Sequence, residues 1–162
     1  MSDDNLWLSP TELRAWMALS ALMEALPAAI DTQLKRDAGV NRFEYMVLAG
    51  LSESPGRALL MSDLANFAAG SISRLSHAIG RLEKQRWVTR RPYPQDGRHT
   101  EVILTDAGME KVIATAPGHV QEARRLVINN LTPRQLSQLG ATATRILQAA
   151  DPDIAELLKR FT

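Results

Sequence analysis

The hydrophobic positions of this chain recur at helical spacing toward both ends and switch to an extended pattern once, past its middle. Leu19, Leu22, Met23, Leu26 and Ile30 share one helical face. Ser9, Pro10 and Glu12 supply a cap, a first-turn proline and the glutamate of a capping box. A first helix is therefore expected from about Pro10 to Ala38, with a kink or break near Leu26 because Pro27 lies inside it. Asn41 and Glu44 repeat the capping logic for a second helix, from Arg42 to about Ser54. Leu60 to Ala68 reads as a short third helix, Ala69-Gly70-Ser71 as a tight break, and Ser71 to about Arg86 as a fourth helix. Residues 87–91 and 100–104 are then β-branched and extended, around the turn formers of 92–97, which predicts a β-hairpin. A fifth helix starts at Asp106 behind Thr105, is expected to be interrupted at Pro117-Gly118, and resumes to about Asn130. Thr132, Pro133 and Gln135 start a sixth, running to about Ala150. A last amphipathic piece carries Ile154, Leu157, Leu158 and Phe161. The predicted fold is mainly α with a small β-hairpin wing: a winged helix-turn-helix flanked by further helices at both ends.

Composition narrows the function. The 162 residues suit one compact unit and include no cysteine, which removes disulfides, Cys-ligated zinc and thiol redox sensing. It fits a reducing cytoplasm, the expected location. The acidic start Met1-Ser2-Asp3-Asp4 has no basic or apolar signal region, so no signal peptide is expected. Ala15 to Ile30, interrupted by Ser20, Glu24 and Pro27, reads as too short and too polar to span a bilayer. The net charge of +1 is unevenly spread: residues 70–99 carry +5 and the remainder −4. A basic segment on a mildly acidic body suits a local phosphate-binding face, although a solvated charged helix has the same composition.

The fourth helix separates into two sides. Ile72, Leu75, Ile79 and Leu82 form an apolar back, expected to pack on Leu64, Ala65 and Ala68 of the third helix. Ser73, Arg74, His77, Arg81 and Lys84 form a front of hydrogen-bond donors, the division that a helix in a major groove requires. Ser71 is the expected N-cap, where a phosphate is also favoured. An ordinary surface helix divides similarly. This one is preceded by a tight turn, followed by a basic hairpin, and nearly free of acids on its outer side. The hairpin tip, Asp96-Gly97-Arg98, could place an arginine in a narrow minor groove, and Arg90 and Arg91 on the first strand could meet phosphates. Alone, an Asp-Gly turn beside an arginine means little.

Together these residues resemble the MarR family of bacterial winged-helix regulators. The resemblance rests on Arg81-Leu82-Glu83 ending the recognition helix, Asp96-Gly97-Arg98 at the wing tip, and Leu104-Thr105-Asp106-Ala107-Gly108 opening the next helix, in order and at matching spacing. Trp87 and Gly80 depart from the usual pattern. Gly80 costs helix stability of about 1 kcal/mol and admits close approach of either DNA or another helix. The resemblance implies an obligate homodimer, with 1–40 and 106–162 as dimerisation helices and 41–105 as the DNA-binding domain. It implies that Ser71, Ser73, Arg74 and His77 meet the major groove, that Arg98 enters the minor groove, and that Asp96 orients the wing. Many relatives of this kind bind small aromatic or lipophilic anions between dimer helices and winged domain. Trp16, Met17, Met23, Arg42 and Met46 are candidate liners, although Met and Trp at helical spacing are more often plain core.

The expected function is sequence-specific binding of double-stranded DNA as a homodimer, as a repressor of a pseudo-palindromic operator whose affinity a small effector lowers. The alternative is a winged-helix module for protein–protein contact without DNA binding. No enzyme is expected, because no nucleophile, base and orienting group occur together. No metal or cofactor is expected: His77, His99 and His119 lack metal-ligand spacing, and no phosphate-binding glycine motif occurs.

Overall fold

A computed structural model describes residues 6–158. Seven α-helices and three short strands follow in the order α1 (Pro10–Ala38), α2 (Arg42–Glu53), β1 (Ala58–Leu60), α3 (Met61–Phe67), α4 (Ile72–Lys84), β2 (Val88–Tyr93), β3 (Asp96–Leu104), α5 (Asp106–Leu126), α6 (Pro133–Ala150) and α7 (Pro152–Leu158). The three capping boxes form as their chemistry dictates. Ser9 and Glu12, Asn41 and Glu44, and Thr132 and Gln135 each exchange side-chain and backbone hydrogen bonds.

Two expected breaks are absent. α1 runs unbroken through Pro27 and α5 through Pro117. Each proline withdraws one backbone donor from the carbonyl four residues earlier. Those carbonyls belong to Met23 and Ile113, both exposed residues, so water can serve them. The packing of α1 along α5 carries both helices through.

The main core is a cluster drawn from residues 43 to 104: Val47, Leu48 and Leu51 of α2, Leu64 of α3, Leu75, Ile79 and Leu82 of α4, and Val88, Val102 and Leu104 of the sheet. The hairpin is larger than its sequence signals implied, since Pro92 and Tyr93 remain in β2 and Asp96 already pairs with Tyr93. β1, which no sequence signal announced, completes an antiparallel sheet of order β1-β3-β2, with Ala58 opposite Ile103. A second cluster of Leu34, Val40 and Tyr45 ties α1 to α2. Trp87 packs against both clusters, and so joins the winged domain to the first helix. Lys111 of α5 closes the same junction: its ammonium lies 5.0 Å from the Trp87 ring centre and donates to the Ala38 carbonyl at 2.6 Å.

The start of α5 explains the Leu-Thr-x-x-Gly motif. Thr105 caps the helix by accepting from Gly108 N–H at 3.0 Å. Its own N–H donates to the Trp87 carbonyl at 3.0 Å, and its hydroxyl donates to the Arg86 carbonyl at 2.7 Å, with the Trp87 carbonyl oxygen 3.1 Å away. Gly108 sits so close to the Trp87 carbonyl that a Cβ there would collide with its oxygen.

Candidate nucleic-acid interface

α4 is seated by its apolar back. Leu75, Ala78, Ile79 and Leu82 are buried against α2 and α3, and Ser71 caps the helix by accepting from Arg74 N–H at 3.1 Å. Ile72 does not belong to that back. It is 52% exposed, because the first turn of α4 projects past the edge of the core. The turn before it is held by Ala69 in a left-handed conformation and by Gly70, whose α-carbon lies so near the Phe43 ring that a side chain would collide with it.

Ser71, Ser73, Arg74, His77, Arg81 and Lys84 are all exposed. Their surroundings differ. Ser73, His77 and Lys84 stand opposite the buried side, with Gly80 between them. Among the described residues nothing lies within 4 Å of where a Gly80 Cβ would be, so no described helix makes the close approach that this glycine permits. The Arg74 guanidinium rests 4.3 Å above the Phe43 ring, a cation–π contact that holds it at the α2 side of the helix. Arg81 is turned back onto the body: its Nε donates to the buried Glu44 carboxylate at 2.6 Å, the same carboxylate that caps α2. Arg81 thus fastens α4 to α2 rather than standing free on the front.

The wing shows the same economy. Arg90 donates twice to Glu83 of α4, at 3.1 and 2.6 Å, and so braces the hairpin against the helix. Arg91 pairs across the strands with Glu101 at 2.7 Å. Arg98 projects from the wing, 88% exposed. Asp96 accepts from its backbone N–H at 3.1 Å, its Nε at 3.0 Å and its Nη2 at 2.8 Å. Those bonds from Arg98 hold the Asp96 carboxyl below its ordinary range and raise the guanidinium pKa in turn, so both groups stay ionised. Of the seven cations in 70–99, four are thus engaged by carboxylates, whereas no salt bridge among the described residues engages Arg74, Lys84 or Arg86.

Between α4 and the wing lies an open cleft of about 390 Å³, bordered by Ile72 and Ser76 on the helix and by Arg90, Arg98 and His99 on the hairpin. Ile72 and Ser76 were not among the residues that sequence pattern assigned to this surface. Lys84 was placed on the front but not singled out, although it lies two turns beyond His77 on the same side.

A second cleft, of about 460 Å³, lies where α1, α2 and α4 meet. Met23, Arg42, Phe43 and Arg74 border it, beside Asp31 and Lys35. Of the five candidate ligand-lining residues, Met23 and Arg42 reach it. Trp16 and Met17 lie exposed further along α1, and Met46 packs on the main core. Nearby, His119 of α5 packs against Tyr45 with ring centres 4.8 Å apart and ring planes tilted by 56°, its Nδ1 buried without a hydrogen-bond partner among the described residues. Burial, and then the charge of Arg42, lowers the His119 pKa. Among the described residues, no group of three or more His, Asp or Glu side chains is placed to hold a metal ion.

This arrangement has close counterparts. Residues 38–99 match the MarR family sequence model. Over 62 residues, 38% of this chain and 42% of the relative, the sequence is 36% identical to YdcH of Bacillus subtilis (strain 168), described as an uncharacterized HTH-type transcriptional regulator. The chain thus spans under half the length of that relative. The structure of Sco3205, a MarR family transcriptional regulator from Streptomyces coelicolor solved in complex with DNA, superposes with a TM-score of 0.87 at 41% identity, covering 94% of this chain and 95% of that one. AbsC, a MarR family regulator from the same organism, superposes with a TM-score of 0.78 at 36% identity, covering 94% and 97%. These relatives are transcriptional regulators, not enzymes. A winged helix-turn-helix with an arginine-tipped wing, matched along nearly its whole length by such regulators, belongs to the MarR family of transcriptional regulators.

Proposed function

We propose that this chain binds duplex DNA as a homodimer at a pseudo-palindromic operator and represses transcription until a small anionic effector lowers its affinity. The observation that carries DNA binding is the joint presentation of two elements on one surface. The exposed polar side of α4 and the arginine-tipped wing flank a single cleft, with the apolar side of α4 sealed in the core. Ser71, Ser73, Arg74, His77 and Lys84 face a major groove in this reading, and Arg98, oriented by Asp96, enters the neighbouring minor groove. Arg90 contributes through its position at the edge of the cleft, and Arg81 chiefly by fixing the helix. The likeness to Sco3205, itself solved with DNA, supports the same use.

Dimerisation is supported by apolar surface that one copy leaves uncovered. Leu13, Trp16, Met17 and Leu22 of α1, and Leu139 and Ile146 of α6, are exposed, and α6 buries none of its side chains. By length and composition α1 could even cross a bilayer, contrary to the sequence reading of Ala15–Ile30. Its far end is pinned by α2 and α5, through Arg42 N–H to Asp31 at 2.8 Å and Lys111 to Ala38. A second copy therefore suits the stripe better than lipid. The effector reading rests on the cleft between Arg42 and Arg74, where an aromatic or lipophilic anion would draw Arg74 off the DNA. A DNA-reading role places the protein with the chromosome, in the cytoplasm.

Fluorescence anisotropy with selected duplexes at 50 to 200 mM salt tests this reading, alongside light scattering. Expected are a mass near twice 17.9 kDa and an affinity that falls steeply with salt, as released counterions require. A monomer that binds no duplex at low salt would instead be a protein-contact module.

A further inference from the structure

Ile72 is an apolar side chain set among hydrogen-bonding ones. It opens α4 at 52% exposure, whereas Leu75 and Ile79 of the same helix are fully buried and Leu82 is 1% exposed. Ser71 and Ser73 flank it, and across the cleft it faces Arg98 and His99 of the wing. A single exposed isoleucine is common on protein surfaces. Its position is what distinguishes this one. Residues in the first turn of a recognition helix stand at base-edge depth in the major groove. There, thymine alone presents a methyl group, while the other bases are read chiefly through their hydrogen-bonding groups. Isoleucine has no donor or acceptor for those groups. Its branched Cβ also leaves it few rotamers, so it offers a preformed apolar surface.

We infer that Ile72 is a specificity-determining residue that selects thymine at one position of each half-site by covering its C5-methyl group. The inference rests on the duplex-DNA reading above. It adds a base choice that the polar residues of α4 do not supply.

The test starts from duplexes selected from a random pool by the unmodified protein. Each thymine of the selected site is then replaced singly by deoxyuridine, which lacks only the methyl. One position per half-site should lose affinity about fourfold, the value expected from ~0.8 kcal/mol per buried methyl-sized group. The Ile72→Ala variant, checked for unchanged melting and dimer mass, should bind thymine and deoxyuridine alike at that position. This pairing of protein and base changes separates direct contact from altered duplex stiffness. If no thymine is sensitive, or if Ile72→Ala leaves the sensitivity intact, Ile72 does not read the methyl. Selection of no duplex at all would overturn the DNA-binding reading itself, a result distinguishable from the other two.

Discussion

The same substitution, glycine to alanine, should act with opposite sign at two helical positions of this protein. At Gly108 a Cβ would collide with the Trp87 carbonyl oxygen and would meet its carbon at 3.0 Å and the Leu104 side chain at 2.6 Å. Two of these three atoms are backbone and cannot rotate away. Relief means moving α5 off the start of β2 by about an ångström, which costs roughly 1–3 kcal/mol as overpacking. The same shift stretches the bonds from Thr105 to the Arg86 and Trp87 carbonyls, at about 0.5–1.5 kcal/mol each. Alanine's helix preference returns about 1 kcal/mol at most. The net expectation for Gly108→Ala is a loss of about 1–5 kcal/mol, at its upper end a large share of a typical domain's stability of roughly 5–15 kcal/mol. At Gly80 nothing lies within 4 Å of the new methyl, so Gly80→Ala should gain about 0.5–1 kcal/mol from helix propensity alone. Urea unfolding followed by circular dichroism, at one fixed protein concentration, measures both. A Gly108→Ala protein within about 0.5 kcal/mol of its parent, the ordinary range for harmless surface changes, would refute the claim that this glycine locks helix to strand. DNA binding adds a second reading. A Gly80→Ala protein that is more stable yet binds duplex more weakly places the DNA against the helix at that point.

Three further outcomes follow from the site. Arg98→Ala should leave folding and dimer mass unchanged, because the side chain is exposed, and should weaken binding more on A·T-rich flanks than on G·C-rich ones; equal affinity on A·T-rich flanks in a footprinting assay would withdraw the wing from the interface. Arg74→Ala should cost about 1–3 kcal/mol and relax base preference at one position per half-site if the residue reads a base edge, whereas uniform weakening across sequences would make it a phosphate contact. His119 is held neutral in the fold, with its pKa below the ordinary value, so the unfolded chain takes up a proton first. Stability should be constant above about pH 6.5 and fall as pH drops below it. The His119→Gln protein should lose that dependence in melting curves between about pH 5 and 7.

What was legible in the sequence was what local chemistry decides. A cap and the glutamate or glutamine that closes its box lie three residues apart, so the starts of α1, α2 and α6 could be placed almost to the residue. The wing announced itself through Asp96 and Arg98, two residues apart and bonded to one another. The misses depend on distant parts of the chain. β1 is three residues long and exists because Val102 and Ile103 pair with it, more than forty positions away. Pro27 and Pro117 carry the usual signal of a break, but whether a break follows depends on whether the abandoned carbonyl can reach water. Ile72 keeps the period of the apolar side, yet the core ends before the first turn of α4. Charge behaves the same way. Residues 70–99 hold seven cations and two acids, which suggests a strongly positive surface. Glu44 and Glu101, both outside that segment, reach in to take Arg81 and Arg91. The basic segment is therefore partly spent on holding the helix and the wing in place. The cations that no carboxylate engages among the described residues are Arg74 and Lys84 on the helix and Arg86 just past its end, with Arg98 held out on the wing by Asp96, and their positions matter more than the segment's total.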